Sequence, residues 1–148
     1  MSVSKVKEPS NMMKHYLQMK EKYKDCILFY RLGDFYELFY DDAIEISNVL
    51  DLTLTGKSCG LDEKAPMCGV PYHAAESYIA KLVSLGYKVA ICEQLTEPKK
   101  GVKIVERDVV RVVTAGTVVD DSMLEERKNN YIMSMFLQDD KLSVVYCD

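Results

Sequence analysis

Phe35, Tyr36 and Glu37 set an aromatic ring and a carboxylate two residues apart, a spacing suited to recognising a flat ligand. In an extended chain alternate side chains point to opposite faces. Phe35, Glu37 and Phe39 then share one face, and Tyr36, Leu38 and Tyr40 the other. A carboxylate between two phenylalanines makes a poor core face, because burying an unpaired charge is costly. The Phe35/Glu37 face is therefore expected to meet solvent, its ring free to stack on a nucleobase and its carboxylate to test the base edge. The competing reading makes Phe35 part of the sheet core and pairs Glu37 with Arg31 across a hairpin. For Phe39, core is the expected role.

The elements that must hold this run follow from periodicity. Ser10 is placed to cap a helix over 11–24, with Met12, Met13, Tyr16, Leu17 and Tyr23 at helical spacing. A strand over 26–31 leads to a turn at Gly33-Asp34 and a second strand over 35–40. Asp41 or Asp42 can cap a second helix with Ile44, Val49 and Leu50 inward, ending near Asp51. The pattern predicts a short strand at 52–55, a surface loop over 56–65 and an extended path over 66–71. A third helix over 75–85 carries Ile79, Leu82 and Val83 inward, with Gly86 after its end. Strands are expected at 87–92, 103–105 and 109–114. Strands alternating with helices, plus an early hairpin, predict an α/β domain with a mixed sheet flanked by helices. Residues 117–129 read as a linker, acidic and helix-prone. Residues 130–148 carry a hairpin around Gln138-Asp139-Asp140-Lys141, marginal alone, which reads as the truncated start of a second domain.

Composition narrows the classes. A chain of 148 residues, 48% hydrophobic and 28% charged, has the makings of a globular core. No apolar run approaches the roughly 18 residues of a membrane span, and the first residues lack a secretory signal. Both features point to the cytosol, and the five cysteines are expected to be reduced thiols. Cys59, Cys68 and His73 are close in sequence, but their spacing fits no common zinc pattern. The net charge of −4 resides in residues 118–148, which hold seven acids and three bases. Residues 1–24 carry six lysines against two glutamates, and 99–111 five bases against two acids, which permits contact with a phosphate backbone. Asp34, Glu37, Asp41, Asp42 and Glu93 could in principle form a nuclease metal site. Glu93 is followed by Gln94 and Leu95, so the Glu-x-Lys element of restriction-type nucleases is missing.

Residues 33–40 (Gly-Asp-Phe-Tyr-Glu-Leu-Phe-Tyr), 66–73 (Pro-Met-Cys-Gly-Val-Pro-Tyr-His), 90–94 (Ala-Ile-Cys-Glu-Gln) and 110–117 (Val-Arg-Val-Val-Thr-Ala-Gly-Thr) together resemble the start of the bacterial MutS family of mismatch-repair proteins. The resemblance runs in order from about Met12 to the end. It implies a mismatch-recognition domain over 1–116 and the opening of the family's connector domain over 130–148. It further implies that Phe35 enters the minor groove and stacks on a mispaired or unpaired base, while Glu37 hydrogen-bonds that base. Lys57, Met67, Lys99, Lys100 and Arg107 are candidate DNA contacts. The implied partners are mismatched double-stranded DNA, a second subunit in a homodimer and downstream repair proteins, in the bacterial cytoplasm at the nucleoid. ATP and magnesium belong to the family's ATPase domain. These 148 residues contain no GxxxxGK[ST] loop, so no cofactor and no ATP hydrolysis are expected of them. The alternative is a protein-interaction module of a repair complex without DNA binding of its own.

Overall fold

The structure, a computed structural model, describes residues 7–96, 105–117 and 131–147. A six-stranded sheet runs in the order β3-β4-β2-β1-β5-β6. Its strands are β1 (Ile27–Leu32), β2 (Phe35–Phe39), β3 (Thr55–Lys57), β4 (Ala65–Pro71), β5 (Val89–Gln94) and β6 (Arg107–Val113). Only the β1–β5 pair is parallel, so the sheet is mixed, as the early hairpin predicts. Helices α1 (Asn11–Lys22), α2 (Tyr40–Leu50) and α3 (Ala75–Ser84) flank it.

Period-two alternation divides the buried side chains between two cores. Met13, Tyr16 and Met19 of α1 cover Leu28, Tyr30, Phe39, Ala65, Ala90 and Cys92. On the other face α2 and α3 bury Phe29, Tyr36, Leu38, Val70, Val89 and Ile91. The aromatics of the α1 core meet edge to face, Tyr16 lying 4.9 Å from Phe39 and 5.5 Å from Tyr30. The Tyr16 hydroxyl donates to the Phe39 carbonyl and accepts from its N–H, satisfying the backbone where β2 ends.

Several expectations need correction. Ser10 caps α1 by accepting from the Met13 N–H at 3.3 Å, but Leu17 is exposed and Met19 is the buried residue one turn on from Tyr16. Tyr40 does not continue the strand. Its φ of +53° turns the chain into α2 and sets its ring beside Cys59 in the α1 core, away from Tyr36 and Leu38. Because α2 starts there, Ala43, Ile46, Ser47 and Leu50 face inward and Ile44 is exposed. Neither Asp41 nor Asp42 caps the helix. Asp42 is 5% exposed and accepts instead from the Leu28 N–H at 3.0 Å and from Lys20 at 2.8 Å. Leu28 lies two residues beyond the last β1–β2 pair, Tyr30↔Glu37, so a side chain replaces the departed strand.

The strand expected at 52–55 forms at Thr55–Lys57. The Leu52 N–H still returns to the Ser47 carbonyl, so pairing with β4 begins later. Strands β5 and β6 lie close to their expected places. Of the strand expected at 103–105, residues 103 and 104 lie outside the described residues and Val105 is not in a strand, and the helix-prone linker after Thr117 also lies outside them. Strands β7 (Ile132–Gln138) and β8 (Lys141–Cys147) form a separate two-stranded sheet, as the hairpin signal predicts. Asp139 and Asp140, at φ +47° and +61°, make the primed turn that matches strand twist. Cys26, Cys59, Cys68 and Cys92 are buried free thiols and Cys147 an exposed one. Cys59 and Cys68 pack in different cores and His73 is exposed, so no zinc site assembles from them.

Asp42→Ala removes a buried acceptor and leaves both the Leu28 N–H and Lys20 without their partner. Chemical denaturation is expected to show a loss of about 3 kcal/mol. A loss under about 1 kcal/mol would mean that water takes over the carboxylate's place.

Candidate nucleic-acid interface

Gly33 and Asp34 form the two-residue turn between β1 and β2, with Leu32 paired to Phe35. Gly33 has φ +60°, the left-handed geometry that primed hairpin turns demand at this position. The turn's polar groups are held from both faces of the sheet. On the α1 side the Gly33 N–H donates to the Gln94 side-chain oxygen at 2.9 Å. Arg107 donates to that same oxygen at 3.2 Å and to the Arg31 carbonyl at 2.8 Å. The Tyr72 N–H donates to the Asp34 carbonyl at 2.9 Å.

On the opposite face Arg31 lies 3.8 Å above the Tyr72 ring and 5.5 Å from that of Tyr36. Its Nε donates to the Gly33 carbonyl. The Arg31 guanidinium reaches Glu93 at 3.6 Å, and the Tyr36 hydroxyl donates to the same carboxylate. Burial pushes the Tyr36 phenol up to about 12, and the bond to Glu93 adds to the shift. The hydroxyl is therefore a fixed donor at neutral pH.

Phe35 emerges from this clamp at the end of the sheet, between Leu32 and Pro71 on the neighbouring strands. It is 46% exposed, whereas Phe39 on the same face is fully covered by α1. Glu37 sits between them, beside Tyr30 on one side and Gly69 on the other. Its carboxylate is ion-paired, but to Lys57 rather than Arg31: Nζ lies 2.7 Å and 2.5 Å from the two oxygens. Gly69 lies opposite Glu37, where a Cβ would come within 3.2 Å of the Tyr36 carbonyl and 3.6 Å of the Glu37 side chain. Met67 pairs with Phe39 and Thr55 and lies half-buried on the same face as Glu37.

The other candidates disperse. Arg107 is far from free: besides Gln94 and the Arg31 carbonyl it bonds the Val105 carbonyl at 3.1 Å. Its guanidinium also lies 5.5 Å from the Tyr30 ring. Lys99 and Lys100 lie outside the described residues. In the basic N-terminal stretch, Lys7, Lys14 and Lys20 are each paired with an acid, Asp62, Glu8 and Asp42 respectively. Glu37, Asp42 and Glu93 each answer to a different cation, so they do not converge as a nuclease site would require. Among the described residues no three His, Cys, Asp or Glu side chains are grouped to hold a metal. The sequence contains no GxxxxGK[ST] phosphate-binding loop.

Residues 10–122 match the family described as MutS domain I. The chain belongs to the MutS family. The DNA mismatch repair protein MutS of Acetivibrio thermocellus is 64% identical over 125 residues, covering 84% of this chain and 14% of that protein. Its namesake in Clostridium tetani is 57% identical over 137 residues, covering 93% and 16%. The chain thus spans 14–16% of the length of these relatives.

Sequence reasoning overlooked Gln94, Tyr72 and Gly69 as supports of the turn and of the ion pair. The available signal was chemical: a tight turn exposes an N–H and a C=O that need partners. Replacing Gln94 with alanine leaves the Gly33 N–H without its acceptor. Hydrogen exchange at Gly33 is expected to speed up about fivefold, the value of roughly 1 kcal/mol, while exchange in the α2–α3 core stays unchanged. Unchanged exchange at Gly33 would show that the turn does not depend on this bond.

Proposed function

We propose that this chain recognises mispaired and unpaired bases in duplex DNA, as the recognition domain of a MutS-type mismatch-repair protein. Phe35 acts as the wedge and Glu37 as the group that hydrogen-bonds the displaced base. The observation that carries this reading is a large aromatic side chain left exposed at the end of a turn whose backbone is held from both faces. Membership of the MutS family, and relatives named as mismatch-repair proteins, support it. Residues 1–116 then form the recognition domain, 117–129 the linker and 130–148 the start of the connector domain. The protein works in the bacterial cytoplasm on the nucleoid, as a homodimer with downstream repair partners.

The energetics explain why such a wedge finds errors. Inserting an apolar side chain unstacks a base step and kinks the duplex, at a cost of a few kcal/mol. Stacking on the displaced base returns roughly 1–3 kcal/mol. At a matched step the cost wins. At a mispair, stacking and pairing are already weak, so insertion becomes favourable, and discrimination follows deformability more than base identity. Glu37 opposes approach to phosphates and is relieved where a displaced base offers an N–H. Met67, on the same face, lines the groove beside the wedge. Arg107 serves the turn through Gln94, in keeping with its three bonds inside the chain.

The second reading, an interaction module that does not itself bind DNA, has one observation in its favour. Met133, Met135, Leu137, Leu142, Val144 and Tyr146 share one face of the β7–β8 hairpin and are all exposed, an apolar surface suited to a protein partner.

Competition binding of the intact protein to a single-unpaired-T duplex and to its matched twin separates the two. Phe35→Ala is expected to weaken mismatch binding about tenfold or more, and Phe35→Tyr much less. Glu37→Gln is expected to raise matched-duplex affinity about fivefold. Equal affinity of Phe35→Ala and the original protein for the mismatched duplex would remove the wedge and favour the interaction module.

A further inference from the structure

We infer that Lys57 sets the selectivity of this site as the counter-ion of Glu37, and is not primarily a contact to the DNA backbone. The inference rests on the wedge reading above and assigns Lys57 a role within it. Lys57 ends the short strand β3, two strands away from Glu37, and reaches it across β4 on the face they share. The ammonium bridges both carboxylate oxygens, at 2.7 Å and 2.5 Å. The Glu37 side chain is 13% exposed and that of Lys57 33%, so water screens the pair only in part. The two charges therefore cancel locally.

A carboxylate offers about four acceptor sites. The ammonium takes two of them and leaves the others for a base N–H. Lys57 can therefore stay in place while Glu37 accepts from a displaced base. On matched DNA no such donor arrives, and Lys57 alone offsets the repulsion between Glu37 and the phosphates. Loss of the lysine should then act mainly on matched DNA. At a mismatch the displaced base supplies part of what the carboxylate has lost.

A true phosphate contact behaves differently. Removing one weakens binding about equally on all sequences and lowers the salt slope by about one. The test is a cycle of Lys57→Met, Glu37→Gln and the double variant in the intact protein, against matched and single-unpaired-T duplexes at several salt concentrations. Phe35→Ala runs in parallel. Lys57→Met is expected to weaken matched binding about fivefold and mismatched binding less than twofold, so that selectivity rises. In the Glu37→Gln background, where no carboxylate is left for a displaced base to relieve, the same substitution is expected to weaken matched and mismatched binding about equally. If Lys57→Met weakens both duplexes equally, with or without Glu37, and lowers the salt slope by about one, Lys57 is a phosphate contact and the inference fails while the wedge stands. If Phe35→Ala leaves mismatch binding intact, the wedge reading itself fails, and the Lys57 assignment with it. Should Lys57→Met lose its fold, Lys57→Gln, which removes the charge and keeps a donor, gives the same comparison.

Discussion

The Gly33 N–H and the Asp34 C=O have no partners within their own hairpin, and the rest of the recognition end follows from how they are satisfied. An unpaired backbone group would cost about as much as a lost hydrogen bond, so a two-residue turn is rigid only if other parts of the chain complete it. Gln94 comes from the end of β5 and Tyr72 from just after β4, the two strands on either side of the hairpin. Arg31 spans the opposite face, joining the Tyr72 ring, the Gly33 carbonyl and Glu93. Phe35 is the first residue past this clamp. Its exposure is therefore a fixed feature of the backbone and does not depend on a loop opening. A backbone held in this way has little conformational freedom left to lose when the ring stacks, which favours binding.

Charge at the site is balanced locally. The whole chain is acidic, with a net charge of −4, and the lysines near its N-terminus are largely committed to acids. General electrostatic attraction to DNA is accordingly modest. In the proposed function, specificity falls to the small face shared by Phe35, Glu37, Lys57, Gly69 and Met67. Glu37 is neither a bare carboxylate nor a sealed core ion pair. It is shielded enough to be held and open enough to be met by another donor.

Much of this was legible in sequence. The alternation over 35–39 placed Phe35, Glu37 and Phe39 on one face, but only Phe35 meets solvent as expected, because Lys57 supplies the cation that lets Glu37 be largely buried. Helix α3 was readable to within a residue, since Ile79, Leu82 and Val83 recur at helical spacing and Gly86 follows at φ +91°. Three things escaped. Tyr40 was assigned to the strand because nothing local announces a tyrosine at positive φ; the tertiary position of α2 imposes it. Asp42 looked like a helix cap because caps and buried acceptors use the same residue types. The pairing of Lys57 with Glu37 escaped because the two lie 20 residues apart in sequence, across a strand, and pairing at that distance has no periodic signature.

The central claim is that Phe35 enters the duplex, and the kink it must produce is the most direct observable. Energy transfer between dyes at the two ends of a single-unpaired-T duplex, measured with the intact protein at saturation, reads that kink apart from affinity. The original protein is expected to shorten the end-to-end distance, and Phe35→Ala, equally saturated, is expected to leave the duplex close to straight. An identical bend with Phe35→Ala would contradict the account, because another part of the protein would then be deforming the DNA.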